Sequence, residues 1–187
     1  EFPEEVLEEL KSISQEVHPS QFIGRKDLRN QTFVTIDGDS SKDFDDAVSV
    51  EKDENGYHLW VSIADVSSYV QENTALDQEA QQRSFSTYVV DRVVPMLPHE
   101  LSNGICSLNP QVDRLTLTCE MQISKQGEIV SYDVYPSVIC SKRRMTYNKV
   151  NQILIGNESV IQEYADMGNF FEVLLDCADA IRHQRVD

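Results

Sequence analysis

The stretch Thr35-Ile36-Asp37-Gly38-Asp39-Ser40-Ser41-Lys42-Asp43-Phe44-Asp45-Asp46-Ala47-Val48-Ser49-Val50 decides the fold, because two apolar strand ends enclose an acidic turn. Gly38 lets the chain reverse sharply, bringing Asp37 back toward Asp43, Asp45 and Asp46. Upstream, Thr32 to Ile36 reads as a strand; downstream, Ala47 to Glu51 and Tyr57 to Ile63 form a hairpin turning on Glu54-Asn55-Gly56. A second hairpin joins Arg114–Ser124 to Glu128–Cys140 through Lys125-Gln126-Gly127. In its first strand Leu115, Leu117, Cys119, Met121 and Ile123 alternate with Thr, Glu and Gln, the pattern of a strand buried on one face. Residues 1–18 read as an acidic amphipathic helix with Val6, Leu7, Leu10 and Ile13 at helical spacing, closed by Pro19 and followed by a polar linker. Ala75 to Phe85 is helix-compatible, and from Tyr147 onward the chain reads as helical with a break near Gly156-Asn157. Strands precede helices, so the expected class is α+β, a mostly antiparallel sheet with flanking helices. The expected division is an N-terminal helix and linker over 1–30 and a main body over 31–187.

The chain has 187 residues, 40% hydrophobic and 26% charged, the make-up of an ordinary globular domain rather than a disordered one. It carries no uninterrupted apolar run of membrane-spanning length and no basic-then-apolar leader, so no membrane association is expected. Cys106, Cys119, Cys140 and Cys177 are far apart in sequence and form no C-x-x-C pair, which fits reduced thiols in a cytoplasmic protein. Sixteen Lys and Arg oppose 32 Asp and Glu, a net charge of −16, the wrong sign for a broad nucleic-acid-binding face. A nucleic-acid substrate would have to enter a narrow channel containing a divalent cation, with basic binding modules elsewhere.

Between Asp37 and Asp46 five carboxylates occupy ten residues against one lysine. Two like charges about 5 Å apart repel by roughly 3 kcal/mol at an effective dielectric of about 20. Held in a folded turn, they protonate, splay into water, or bind a cation. Phe44 and Ala47-Val48 favour folding, and Mg²⁺ suits such a site because it takes one or two carboxylates, keeps waters, and completes its shell with phosphate oxygens. A solvated acidic loop is the plain alternative. An EF-hand counted from Asp37 needs glycine at its sixth position and glutamate at its twelfth; Lys42 and Val48 stand there, which excludes it.

The segments TIDGDSSKDFDDAVSV, LWVSIADVSSYV, VVPMLPHELSNGICSLNPQVDRLTLTCEM and RRMTYNKV occur in this order. Together they resemble the RNB catalytic domain of the ribonuclease II and ribonuclease R family, nearest its bacterial ribonuclease R members, from about Gly24 to the end. The resemblance implies processive, Mg²⁺-dependent hydrolysis of RNA from a single-stranded 3′ end to 5′-nucleotides. Matched residue by residue, it implies that Asp37 and Asp46 hold the metal, that Asp43 supports the site or a second ion, and that Asp45 is most essential to the chemistry. Asp39 falls where the family is acidic but not catalytic. Ser40-Ser41 replace a more usual acidic-alanine pair. The resemblance further implies that Tyr88 stacks on terminal bases and that Tyr147 holds the 3′ end of the RNA. Stacking on tyrosine suits an enzyme without sequence preference, since every base offers a π-face.

Other polar residues have plainer readings. Asp65, after an apolar strand, is expected as a buried Asp capping a turn. Arg114 either faces a channel or pairs with Asp113. His18, His58, His99 and His183 show no ligand spacing and are expected to be surface or packing residues. Asp77-Gln78-Glu79, the only Asp-x-Glu that a DEDD-type exonuclease could use, lies in a helix-like stretch. Against the family, the chain reads as the N-terminal half of the catalytic domain, a fragment weak or inactive alone, whose basic modules lie in other parts of a longer polypeptide. The competing function is a catalytically inactive RNB-like binding or regulatory module; the intact quartet Asp37, Asp43, Asp45 and Asp46 argues against it.

Overall fold

A computed structural model describes residues 1–90 and 92–184. The elements run α1 (Glu4–Lys11), a 3₁₀ turn (Pro19–Phe22), β1 (Lys26–Asp27), β2 (Val34–Asp37), β3 (Asp46–Lys52) and β4 (Gly56–Ala64). A second 3₁₀ turn (Val66–Ser68), α2 (Ala75–Arg83), β5 (Thr87–Tyr88), β6 (Val93–Val94) and a wide π-helical turn (Glu100–Ile105) follow. The long hairpin β7 (Asp113–Ser124) and β8 (Ile129–Cys140) leads to β9 (Arg143–Thr146), α3 (Tyr147–Leu154), α4 (Glu158–Glu163) and α5 (Phe170–Gln184).

Seven strands form one sheet in the order β1-β8-β7-β4-β3-β2-β9. The inner pairs are antiparallel and the two outer ones, β1 with β8 and β2 with β9, are parallel. The fold is thus α+β and mostly antiparallel. The sheet is strongly curled. Only Ser141 and Lys142 separate β8 from β9, a reach of about 10 Å, whereas the five strand spacings between them would span about 24 Å if flat. Bonds from Lys142 N to Phe33 O (2.7 Å) and from Gln111 N to Ser141 O (2.8 Å) fix this crossing.

One face of the curled sheet buries Phe33, Ala47, Trp60 and Ile139 with Phe44 and Leu108. Beside them Ser62, Thr116, Thr118 and Ser137 are fully buried and bonded to one another at 2.6–2.7 Å, which satisfies hydroxyls that would otherwise be costly to bury. The opposite face packs Val34, Val50, Leu59 and Ile123 against Phe171, Val173 and Cys177 of α5. Gly127, in the β7–β8 turn at φ +89°, meets α5 backbone so closely that a Cβ there would lie 2.1 Å from Ala180 O.

Two local expectations change. The N-terminal helix ends at Lys11 rather than near residue 18, because Ser12 Oγ donates to Glu9 O (2.7 Å) and Ser14 Oγ to Glu16 O (2.9 Å), side-chain bonds that compete with helical ones. Its Val6 and Leu10 still bury against Leu76, Leu101 and Ile105. The polar stretch before Thr32 is built into the sheet, Lys26 and Asp27 pairing with Ser137 and Val138. All four cysteines are free thiols.

Candidate active site

The acidic run lies where β2 ends and β3 begins. Counting on from the Val34–Val48 register brings Asp37 level with Asp45, and Asp46 pairs with Ile63 of β4. Ala64 N donates to Asp45 O at 2.9 Å, so the backbone of the turn is tied to the end of β4. Immediately beyond, Asp65 is buried at the N-cap position of the second 3₁₀ turn, as expected, but its carboxylate caps no backbone N–H there and accepts instead from Ser67 Oγ (2.7 Å), Ser68 Oγ (2.8 Å) and Arg25 Nη2. Burial pushes the Asp65 carboxyl up, but these three partners more than offset it and hold it below the ordinary range.

The turn is gripped from two sides. On the inner side Ser107 Oγ donates to Lys42 O (2.9 Å) and accepts from Phe44 N (3.0 Å), while Leu108 N donates to Phe44 O (2.8 Å). Arg114 supports that loop, donating Nε to Ser107 O at 2.8 Å and Nη2 to Gly104 O at 3.4 Å. Arg114 therefore neither faces a channel nor pairs with the Asp113 carboxylate. It is buried and also donates to the Asp113 carbonyl, while the Asp113 side chain accepts from Arg29. On the outer side Arg144 Nη2 donates to Gly38 O (2.9 Å), Asp39 O (3.0 Å) and Ser41 O (3.5 Å).

Four of the carboxylates sense one another. The Asp37 carboxyl is pushed up by burial, then by the charges of Asp46 and Asp43, with Arg144 opposing. Asp45 is pushed up by burial and then by Asp43, Asp46 and Asp37, although its side chain is open to solvent on one side. Asp43 accepts from Ser41 Oγ (3.3 Å), and Asp39 is exposed. Among the described residues no three acidic, His or Cys side chains already form a closed cage for an ion. This donor set fits a cation that takes one or two carboxylates and leaves its remaining positions to water and phosphate, which is how Mg²⁺ binds.

Two adjoining recesses open beside the turn. One, of about 720 Å³, runs from Gly38 and Asp43 to Tyr88, His99 and Asn103; the other, of about 380 Å³, includes Asp43, Asp45, Tyr88 and Leu97. Tyr88, on the short β5–β6 ribbon, is 69% exposed and shared by both. The Asp43 charge is the largest cause of an upward shift of its hydroxyl, with a hydrogen bond to Asp43 adding to it. Tyr147 is 67% exposed at the start of α3, one residue beyond Thr146, the register partner of Asp37. Tyr88 and Asp43 are thus brought together, whereas Tyr147 shares with the acidic turn only this neighbouring strand end.

Two histidines stay outside: His18 caps a 3₁₀ turn, and His58 stacks on Trp60 at 3.8 Å and bonds Glu120, whereas His99 bonds Asn103 and lines the far end of the larger recess. Sequence reasoning missed Arg144 and Ser107. Their partners are main-chain atoms, which leave no trace in residue type.

A family model for the RNB domain matches residues 25–187, and the chain belongs to the RNB family. It is 52% identical over 186 residues to ribonuclease R of Thermotoga maritima, covering 99% of this chain and 26% of that protein. It is 47% identical over 174 residues to ribonuclease R of Escherichia coli, covering 92% of this chain and 21% of that protein. Among solved structures, Mycoplasma genitalium RNase R in complex with ribose-methylated single-stranded RNA matches with a TM-score of 0.89 at 34% identity, over 99% of this chain and 29% of that one. The chain therefore spans about a quarter of the length of these relatives, between 21% and 29%.

Proposed function

We propose that this chain carries the acidic centre of a 3′→5′ exoribonuclease that hydrolyses single-stranded RNA processively to 5′-nucleotides with Mg²⁺. The observation that carries the reading is the meeting of Asp37, Asp43, Asp45 and Asp46 at one strand junction beside Tyr88, in a chain of the RNB family. Asp37 and Asp46 would hold the ion, Asp43 would support it, and Asp45 is the carboxylate on which the chemistry most depends. When bound, Mg²⁺ neutralises the scissile phosphate, makes an attacking water more acidic and shields the leaving 3′-oxygen.

The residues of the chain set this up. Ser107 and Arg144 hold the backbone of the turn from both sides, which keeps the stems of the carboxylates close together. Their mutual repulsion is a standing demand for a cation. Tyr88 offers an exposed ring to a terminal base in the recess that Asp45 also lines, and Tyr147 offers another one residue beyond Thr146, the register partner of Asp37. A net charge of −16 fits RNA entering by its end into a recess that holds a divalent cation rather than lying on a broad face. The basic surface that RNA needs is assigned to other parts of a longer polypeptide.

The test uses one RNA labelled at its 5′ end and another at its 3′ end, incubated with Mg²⁺ and the polypeptide that contains this chain. The 3′ label should appear at once as a mononucleotide while the 5′-labelled species shorten, and chelation should stop both. Internal cuts, or early loss of the 5′ label, would contradict the proposal.

A further inference from the structure

Arg144 belongs to no part of the chemistry assigned above, yet it makes the densest set of contacts to the acidic turn. It sits on β9 opposite Thr35, so its side chain starts from a strand fixed in register beside β2. Its Nη2 reaches the carbonyl oxygens of Gly38, Asp39 and Ser41 at 2.9, 3.0 and 3.5 Å. The guanidinium carbon lies 5.5 Å from the centre of the buried Phe44 ring, which limits where the fork can move.

These oxygens are what a different cation would want. Ca²⁺ gathers six to eight oxygens and commonly completes its shell with backbone carbonyls from a short acidic loop, whereas Mg²⁺ takes few protein ligands and keeps water. The turn Asp37–Asp43 offers both kinds of donor, carboxylates and carbonyls, within one short loop. A guanidinium placed against three carbonyls removes them from use twice over, by hydrogen bonding and by setting a fixed positive charge beside them.

We propose that Arg144 is a positioning residue that sets metal selectivity: by holding the carbonyls of Gly38, Asp39 and Ser41, it withdraws three carbonyl donors of the turn from an entering cation, and so disfavours Ca²⁺ relative to Mg²⁺. The inference rests on the cation reading of Asp37 and Asp46.

Calorimetric titration of Mg²⁺ and of Ca²⁺ into the full chain and into Arg144→Ala and Arg144→Lys tests it. Loss of the positive charge strengthens binding of both ions alike, so the ratio of the two dissociation constants isolates the carbonyl effect. In Arg144→Ala the ratio should move toward Ca²⁺ by about tenfold, roughly 1.4 kcal/mol. Arg144→Lys keeps the charge, but its ammonium ends one bond short of Nη2, the single nitrogen that meets all three carbonyls, and its ratio should shift in the same direction with little change in Mg²⁺ affinity. The urea midpoint of each variant shows that it is folded; if the alanine variant is not, the lysine variant decides. Tight Mg²⁺ binding with a ratio unchanged within about twofold overturns the role of Arg144 alone. Absence of Mg²⁺ binding in the unmodified chain overturns both this inference and the cation reading beneath it.

Discussion

Replacing Asp65 with Asn tests how the strand end behind Asp45 is held. Arg25 and Asp65 form an enclosed ion pair, their side chains 12% and 7% exposed. The substitution keeps the shape and removes the charge, leaving the guanidinium with Ser68 Oγ at 2.7 Å and the carbonyls of Thr116 and Ser137 at 3.1 and 3.3 Å. Removing one partner of a buried pair costs about 3–5 kcal/mol. The three remaining acceptors reduce the loss to about 2–3 kcal/mol. At about 2–4 °C per kcal/mol for a chain of this size, Tm should fall by about 4–12 °C. Trp60, buried and the only tryptophan, reports unfolding by fluorescence in heat or urea.

The pH dependence gives a second check. The folded carboxyl lies below its ordinary value, so its contribution is present above about pH 3.9 and disappears as pH falls through the folded value. The difference between the two proteins should therefore narrow in acid. A loss under about 1 kcal/mol at pH 7, or a difference that stays constant down to pH 3, would refute the assignment of Asp65 as the charge that holds Arg25.

Tyr88→Ala should leave the unfolding free energy from urea titration within about 0.5 kcal/mol, since the side chain is 69% exposed, yet weaken binding of an RNA 3′ end by about 1–3 kcal/mol in fluorescence anisotropy. Tyr88→Phe should bind normally because it keeps the ring; equal losses in both variants would show that the hydroxyl matters instead. Gly127→Ala should destabilise by about 2–4 kcal/mol, because it combines a positive φ with a Cβ placed 2.1 Å from Ala180 O. An unchanged urea midpoint would mean that α5 is not seated against that turn.

The parts of this fold that the sequence exposes are those whose physics is local. Both hairpins are legible because alternation and turn residues coincide at Glu54-Asn55-Gly56 and Lys125-Gln126-Gly127. The acidic turn is legible because five like charges between apolar strands need an explanation. The parallel edges are not: β1 has two residues and β9 four, too few for a period, and their partners are more than 100 residues away. The run alone offers five aspartates; the resemblance to the RNB family is what singles out Asp37, Asp43, Asp45 and Asp46, and Tyr88 with them, and it does not name their supports. Ser107 and Arg144 act on backbone atoms that any residue type would supply. Arg114 shows the same limit, since the adjacent Asp113 invites an ion pair that the fold replaces with carbonyls.

Asp45→Asn is the measurement closest to the central claim that this quartet forms the catalytic centre for RNA. The substitution removes one charge from an electrostatically coupled cluster and leaves the backbone bond from Ala64 to the Asp45 carbonyl in place. In the polypeptide containing this chain, cleavage of 3′-labelled RNA should fall by about two to three orders of magnitude while RNA affinity stays within about threefold. Cleavage at an undiminished rate in a folded Asp45→Asn protein would contradict the account.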